Sequence, residues 1–329
     1  MSHNCPKIAI IVLNWNGKHD TIACLASLSA LDYPHYTILL VDNGSTDGSV
    51  PCIQERFPHV HCIALPENIG FAAGNNAGIA YALQQGADYL LLLNNDTIVA
   101  SDLLLRFLEG FAASPQAGIL GARIYQFDQK DTLDHLGGMW VKKEAKMHLI
   151  GFREKDPTPL PQSLIPLDYV CGACMIIQRS VIDAIGMLEP RYFLYWEEND
   201  FCLRAQKAGF STYSCPQAKI WHKISASLTG GRPHAAYFNW RGRLLWIERQ
   251  YTPYERVGIY FKTIFPAIFK LIKLKLLKTM QLWLIRLFRP HENLSKRQEK
   301  ILKCNASLAG IRDYALRRFD KGPSWIYKK

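Results

Sequence analysis

Tyr89-Leu90-Leu91-Leu92-Leu93-Asn94-Asn95-Asp96 is the stretch that decides how this chain is read. Five strongly apolar residues without a charge are the pattern of a strand buried on both faces, and the change to two amides and a carboxylate marks where it leaves the core. In an open α/β sheet ligands bind outside the carboxyl ends of the strands, so Asp96 stands where chemistry is placed. Asn and Asp also form ordinary turns, and the triplet alone reads equally well as one. A second strand with the same exit, Ile38-Leu39-Leu40-Val41 followed by Asp42-Asn43-Gly44-Ser45, shifts the balance. Two parallel strands delivering carboxylates to one edge describe a nucleotide and metal pocket.

Around these strands the first hundred residues alternate. Ile8 to Leu13 reads as a strand, Thr21 to Leu31 as a helix, Val50 to Phe57 as a helix and Val60 to Leu65 as a strand. The run Gly70 to Gly78 opens a helix that ends near Gln85. Such βα units build a mostly parallel central sheet with helices on both faces, an α/β fold. Residues 123–168, with Gly137-Gly138 and Pro157, Pro159, Pro161 and Pro166, read as an irregular insertion over the pocket. A strand from Tyr169 to Ile177 and a helix from Ser180 to Ile185 follow.

The 329 residues are 49% hydrophobic and carry a net charge of +11, which excludes wholesale disorder. Residues 1–250 hold 21 basic against 23 acidic residues, whereas residues 251–329 hold 18 against 5. Excess positive charge confined to the tail, away from the carboxylates, argues against a nucleic-acid partner and for a near-neutral catalytic region with a basic attachment region. Nine scattered cysteines suit a reducing compartment, and Cys171-Gly172-Ala173-Cys174 lacks the second pair a zinc site needs. Met1 to Lys7 is polar and does not resemble a signal peptide. Val257 to Phe288, the most hydrophobic stretch, is interrupted by lysines and arginines too often to span a bilayer as a simple helix.

Three sets of residues can carry chemistry. Asp96 suits Mg²⁺ or Mn²⁺, a hard cation that bridges phosphate oxygens, and His222, after a later strand, can add a nitrogen ligand. Asp42 can accept from a base ring N–H while the backbone of Gly44 and Ser45 approaches the nucleotide. In Tyr195-Trp196-Glu197-Glu198-Asn199-Asp200, helical spacing puts Glu197, Asp200 and Arg204 on one face with Glu198 a quarter turn away. Either Glu197 or Glu198, in an aromatic setting that raises its pKa, fits a general base; first-turn acids that only complement the helix dipole are the plainer reading.

These blocks, in this order, resemble family 2 glycosyltransferases of the GT-A fold, in particular the rhamnosyltransferase-like branch of bacterial surface polysaccharide synthesis. The resemblance runs through Ile11-Val12-Leu13-Asn14-Trp15-Asn16-Gly17, Val41 to Ser49, Glu67 to Asn76, Leu93 to Asp96 and Phe193 to Ala205, and covers roughly residues 7–250. It implies an inverting transfer of a hexose, rhamnose by this likeness, from a nucleotide-diphosphate sugar to a lipid-linked or polysaccharide acceptor, with Mg²⁺ or Mn²⁺ as cofactor. By the same likeness Leu13, Asn14, Asp42, Asn43, Gly44, Asn68, Gly70, Asn75, Asn94 and Asn95 hold the donor. Asp96 and His222 hold the metal, Glu198, Glu197 and Asp200 form the catalytic group, and Gly172, Ala173 and Trp196 face the acceptor. Two positions differ from many relatives: Asn94 stands where an Asp is common, and Glu198 is one methylene longer than the usual base. The catalytic domain is then 1–250, with its nucleotide half about 1–122 and its acceptor half about 169–250.

The tail completes the expectation. Between Leu274 and Arg289 helical spacing gathers Lys275, Lys278, Arg286 and Arg289 in an arc of roughly 80°, so 251–329 reads as a basic amphipathic region. It either lies on an anionic membrane surface or packs on the catalytic domain. The first choice places the protein in the cytoplasm, peripheral on the inner face of the membrane. A nucleotidyltransferase and a noncatalytic sugar-nucleotide-binding protein are the alternatives. The former needs a basic phosphate loop, for which Asn14 to Lys18 has one lysine; the latter has no use for the cluster from Glu197 to Asp200.

Overall fold

Alternating βα units build the first part of the chain. In the computed structural model, which describes residues 5–144, 146–156, 161–223, 232–288 and 295–327, the order is β1 (Ile8–Asn14), α1 (Lys18–Leu28), β2 (Tyr36–Asp42), α2 (Ser49–Arg56), β3 (His61–Ala64), α3 (Phe71–Gln84), β4 (Tyr89–Asn94), β5 (Thr97–Val99) and α4 (Leu103–Ala113). The chain continues through β6 (Ala117–Gln126), β7 (Gln129–Leu133), β8 (Gly137–Val141), β9 (Lys146–Ile150), β10 (Ile165–Pro166), β11 (Cys174–Gln178), α5 (Arg179–Ile185), α6 (Glu197–Lys207) and β12 (Ser211–His222). Helices α7 (Pro233–Gln250), α8 (Pro253–Ile259), α9 (Phe265–Phe288) and α10 (Ser295–Ala315) follow, with a π-helical turn at Tyr260–Ile264 between α8 and α9.

The described residues form two compact units. The first contains those of 1–140, 147–190 and 197–224, the second those of 141–146, 191–196 and 225–329. In the first, the strands run β10-β12-β6-β11-β4-β1-β2-β3, with β5 added on β12 and β7 on β6. β1 to β4 are parallel, and β11 inserts antiparallel between β4 and β6. Period-two alternation sends Ile8, Ile10, Val12, Leu91 and Leu93 to one face and Ala9, Ile11, Leu90 and Leu92 to the other. The first face is covered by apolar residues of α1, α2 and α4, the second by those of α3, α5 and α6.

The expected strands and helices form within a few residues of their expected bounds, except in one region. Residues 123–168 are more regular than their glycines and prolines suggest: they finish β6 and contain β7 to β10. Gly137 and Gly138 do not break the chain there but let two backbones meet, since a Cβ on Gly137, at φ +134°, would lie 2.3 Å from the Tyr169 carbonyl oxygen. The strand expected from Tyr169 starts at Cys174, because residues 169–173 turn across the ends of the sheet.

The second unit is helical. α7 and α10 pack around Tyr237, Phe238, Ala306, Ala309 and Ile326. Arg241, 2% exposed, donates to the Tyr237 hydroxyl and to the carbonyls of Arg318 and Asp320 at 3.2, 3.2 and 2.7 Å, so its charge is compensated by backbone dipoles.

Candidate active site

Register brings the strand ends together. Asn14 lies opposite Asp42, and Leu13 opposite Asn94, so β1, β2 and β4 leave the sheet at one level. The Asn14 amide donates to Asp42 Oδ1 at 2.7 Å, while its own oxygen accepts from Thr21 Oγ1 at 2.9 Å and from Asn95 Nδ2 at 3.1 Å. The Ser45 N–H donates to Asp42 Oδ2 at 2.9 Å. Next to it, Asn43 donates to Asn68 Oδ1 at 3.0 Å and accepts from the Ile69 N–H at 3.0 Å, which ties the β2 exit to the loop before α3. Gly44, at φ +73°, would place a Cβ 2.6 Å from the Glu67 Cα, so only glycine lets these two loops touch. Of the residues expected to hold the donor, Leu13, Asn14, Asp42, Asn43, Gly44, Asn68, Gly70, Asn94 and Asn95 therefore meet at one edge. Asn14, Asp42 and Asn43 are themselves at most 2% exposed and fix the shape of that edge. Asn75 lies inside α3, where its amide donates to the Phe71 carbonyl at 3.0 Å.

A second cluster forms where β5 pairs antiparallel with β12. Thr97 faces His222, and the Lys223 N–H donates to the Asp96 carbonyl at 2.8 Å, so Asp96 and His222 are neighbours despite their distance in the chain. His222 Nε2 lies 3.1 Å from Asp96 Oδ1 and Nδ1 lies 3.3 Å from Asp134 Oδ2. Burial alone would lower the imidazole pKa, but hydrogen bonds to Asp134 and Asp96 outweigh it and hold it up at about 9. Asp134 is also buried, and the bond from His222 keeps its carboxyl below the usual range against the effect of burial. Beside it His135 is pushed down by burial, with Nδ1 lacking a hydrogen-bond partner among the described residues.

Asp96 and His222 are the donor pair a divalent cation can use. Adjacent ligands of one hexacoordinate ion sit roughly 3 Å apart when each bond is about 2.1 Å, which fits the observed 3.1 Å. No group of three or more His, Cys, Asp or Glu is placed to hold a metal among the described residues.

The third cluster opens α6. Tyr195 and Trp196 have φ of +66° and +78°, a strained pair that turns the chain into the helix at Glu197. The Glu197 and Glu198 carboxyls hydrogen-bond each other, and Oε2 of each is buried without another partner among the described residues. Burial and then the neighbouring Glu198 charge raise Glu197 well above the carboxylate range; burial raises Glu198 less far, because it accepts from Glu197. Both carboxyls are thus pushed toward the protonated form and act as a hydrogen-bonded pair. Glu197 is 4% exposed whereas Glu198 is half-buried, so Glu198 is the easier to reach. Asp200, fully buried, accepts from Arg204 Nε at 2.9 Å, and Arg204 reaches on to the carbonyls of Ile185 and Met187 at 2.6 and 2.7 Å. Its place is in the clamp that holds α6 on the chain before it. Cys171 is raised by burial and then by both Asp134 and Glu198, which puts the second and third clusters around one interior.

Gly172 and Ala173 lie on the turn before β11, where the Ala173 carbonyl accepts from the Asn94 N–H at 3.0 Å. Trp196 stacks at a tilt on Trp246, centroids 5.7 Å apart, inside the helical unit. Asp134 escapes a sequence reading because it stands in the segment that looks irregular; the adjacent Asp-His-Leu-Gly-Gly is the one signal there.

Comparison with known proteins agrees with the fold. Residues 9–186 match glycosyl transferase family 2, so the chain belongs to that family. It is a glycosyltransferase with the GT-A arrangement of a mostly parallel sheet between helices. It is 27% identical over 231 residues to an N-acetylglucosaminyl-diphospho-decaprenol L-rhamnosyltransferase of Mycobacterium tuberculosis, covering 64% of this chain and 73% of that one. It is 23% identical over 254 residues to the dTDP-rhamnosyl transferase RfbF of Shigella flexneri, covering 75% and 81%. In fold it is similar to the mannosyltransferase PcManGT of Pyrobaculum calidifontis, solved with GDP-mannose and Mn²⁺, at a TM-score of 0.57 and 14% identity over 96% of this chain and 89% of that one.

Proposed function

We propose that this protein is an inverting glycosyltransferase that moves a deoxyhexose, rhamnose by the likeness of its relatives, from a nucleotide-diphosphate donor to a hydroxyl of a lipid-linked or polysaccharide acceptor. The observation that carries the reading is the hydrogen-bonded pair of Glu197 and Glu198, with Glu198 the more accessible, near Asp96, His222 and Asp134.

The roles follow from the parts. The amide-lined edge formed by Asn14, Asp42, Asn43 and Gly44 seats the base and ribose, with Asn94 and Asn95 toward the diphosphate. Asp96 and His222 would hold Mg²⁺ or Mn²⁺, which when bound neutralises charge on the leaving diphosphate. Asp134 keeps the His222 ring oriented toward Asp96. As the anomeric carbon gains positive character, the acceptor oxygen attacks from the face opposite the diphosphate and Glu198 takes its proton, which inverts the configuration. Glu197 stabilises the Glu198 carboxylate by donation, and Asp200 with Arg204 fixes the helix on which both stand. Gly172 and Ala173 line the acceptor approach. Catalysis is assigned to residues 1–250 and membrane attachment to residues 251–329. Among the described residues no helix is long and apolar enough to cross a membrane, and the attachment proposed is at the surface, on the inner face.

The test is a panel of dTDP-, UDP- and GDP-linked sugars with Mg²⁺ or Mn²⁺, scored for donor hydrolysis and for thermal stabilisation of the protein. One donor that both stabilises and is slowly hydrolysed is expected. Stabilisation without turnover, even with lipid-linked acceptors present, would favour a sugar-nucleotide-binding protein.

A further inference from the structure

The π turn and α9 expose an unbroken apolar stripe. Phe261, Phe265, Phe269, Leu276, Met280 and Trp283 are 68, 50, 71, 63, 53 and 63% exposed. At 100° per residue the five that lie on α9 fall within about 60° of arc, and the Phe261 ring meets Phe265 edge to face at 5.4 Å, carrying the stripe across the π turn. Monomeric soluble proteins seldom leave so much contiguous apolar surface in water without a use for it.

Charge around the stripe is of one sign. Lys270 and Lys273, both exposed, border it on one side, and no Asp or Glu occurs from Arg256 to Phe288. The arc expected to meet the membrane is not this one. Lys275 and Lys278 lie on the half-buried side of α9, where Lys275 acts on Cys304 of α10, while Arg289 lies outside the described residues. The face left to a partner is therefore aromatic with a lysine border.

We propose that this stripe lies in the plane of an anionic bilayer, with the rings among the acyl chains and Lys270 and Lys273 at the phosphates. The inference deepens the membrane-attachment reading above and rests on it. A helix of 24 residues with Phe, Leu and Trp on one side and lysine at the margin has the composition of an interfacial segment, not of a span. A second copy of this chain is the poorer occupant, because stacking two such stripes sets lysines against lysines with no acid on either face to balance them.

The experiment is flotation of the purified full chain with vesicles of phosphatidylcholine alone and with one-third phosphatidylglycerol. Binding is expected only to the anionic vesicles. Phe265→Ser with Phe269→Ser should weaken it roughly a hundredfold, and Lys270→Glu with Lys273→Glu roughly tenfold or more, with unchanged melting curves because all four side chains are exposed. Trp283 should be quenched by brominated lipid, read as the difference from Trp283→Phe. A wild-type chain that stays with the pellet, or a double serine variant that floats as well as wild type, overturns the proposal. So does a dimer in buffer that the serine variant returns to monomer. Donor hydrolysis on the same samples separates the two readings: turnover without flotation removes the stripe alone, and flotation without turnover removes the transferase and leaves the stripe.

Discussion

His222 is held between two carboxylates, and this gives the site a pH signature in the absence of metal. An imidazole raised from 6.5 to about 9 on folding favours the protonated form. Its contribution to stability is therefore complete below about 6.5 and fades as pH rises to about 9. In chelator, the melting temperature should fall across that window, and His222→Gln should flatten the fall; parallel curves would show that the imidazole is not held this way. Asp134 acts through His222, so Asp134→Asn should weaken Mn²⁺ binding roughly 10–100-fold, measured by titration of the metal's paramagnetic relaxation. Equal affinity would separate Asp134 from the ring it faces. Asp96 and His222 are readable one at a time, each as a polar residue at a strand end. Their pairing is not, because it depends on β5 and β12 meeting in antiparallel register, and Asp134 arrives on a third segment with no periodic pattern.

Among the elements, β1, β2 and β4 were legible because each carries an uninterrupted apolar run that ends in Asn or Asp, whereas β5, three residues long, was not foreseen. The short strands after β6 were not legible either, since they are brief and partly exposed, and β8 opens on two glycines. The glycines of α3 show why composition can mislead. Gly78 serves packing: a Cβ there would lie 2.5 Å from Ile11 Cγ2 and 3.0 Å from Val41 Cγ2, both in the layer beneath. Gly78→Ala should destabilise the protein by about 1–3 kcal/mol. Gly258→Ala in α8, where a Cβ meets nothing within 4 Å, should be neutral or stabilising by up to about 1 kcal/mol. Urea denaturation of the two variants checks the contrast, and an unaffected Gly78→Ala would mean that α3 can move off the sheet at little cost.

Over the whole molecule, charge and chemistry are segregated along the chain. The carboxylates and amides of the site stand on the sheet edge and at the start of α6, and the basic excess lies in the last 79 residues. That partition was visible in composition. Which face of α9 is left open was not, because the arcs of lysine and of aromatic residues are equally helical and only packing on α10 selects between them. Likewise Glu197 and Glu198 are equivalent in sequence, and only their unequal burial, which leaves Glu198 the more accessible, favours Glu198 as the base.

That assignment is the centre of the account, and single-turnover transfer from the donor found in the panel to a lipid-linked acceptor tests it. Glu198→Gln should bind the donor, by thermal stabilisation, yet lose transfer by roughly 10²–10⁴-fold, whereas Glu197→Gln, which can still donate to Glu198, should stay within about tenfold. Transfer near the wild-type rate in Glu198→Gln, with Glu197→Gln inactive, would contradict it and hand the base to Glu197.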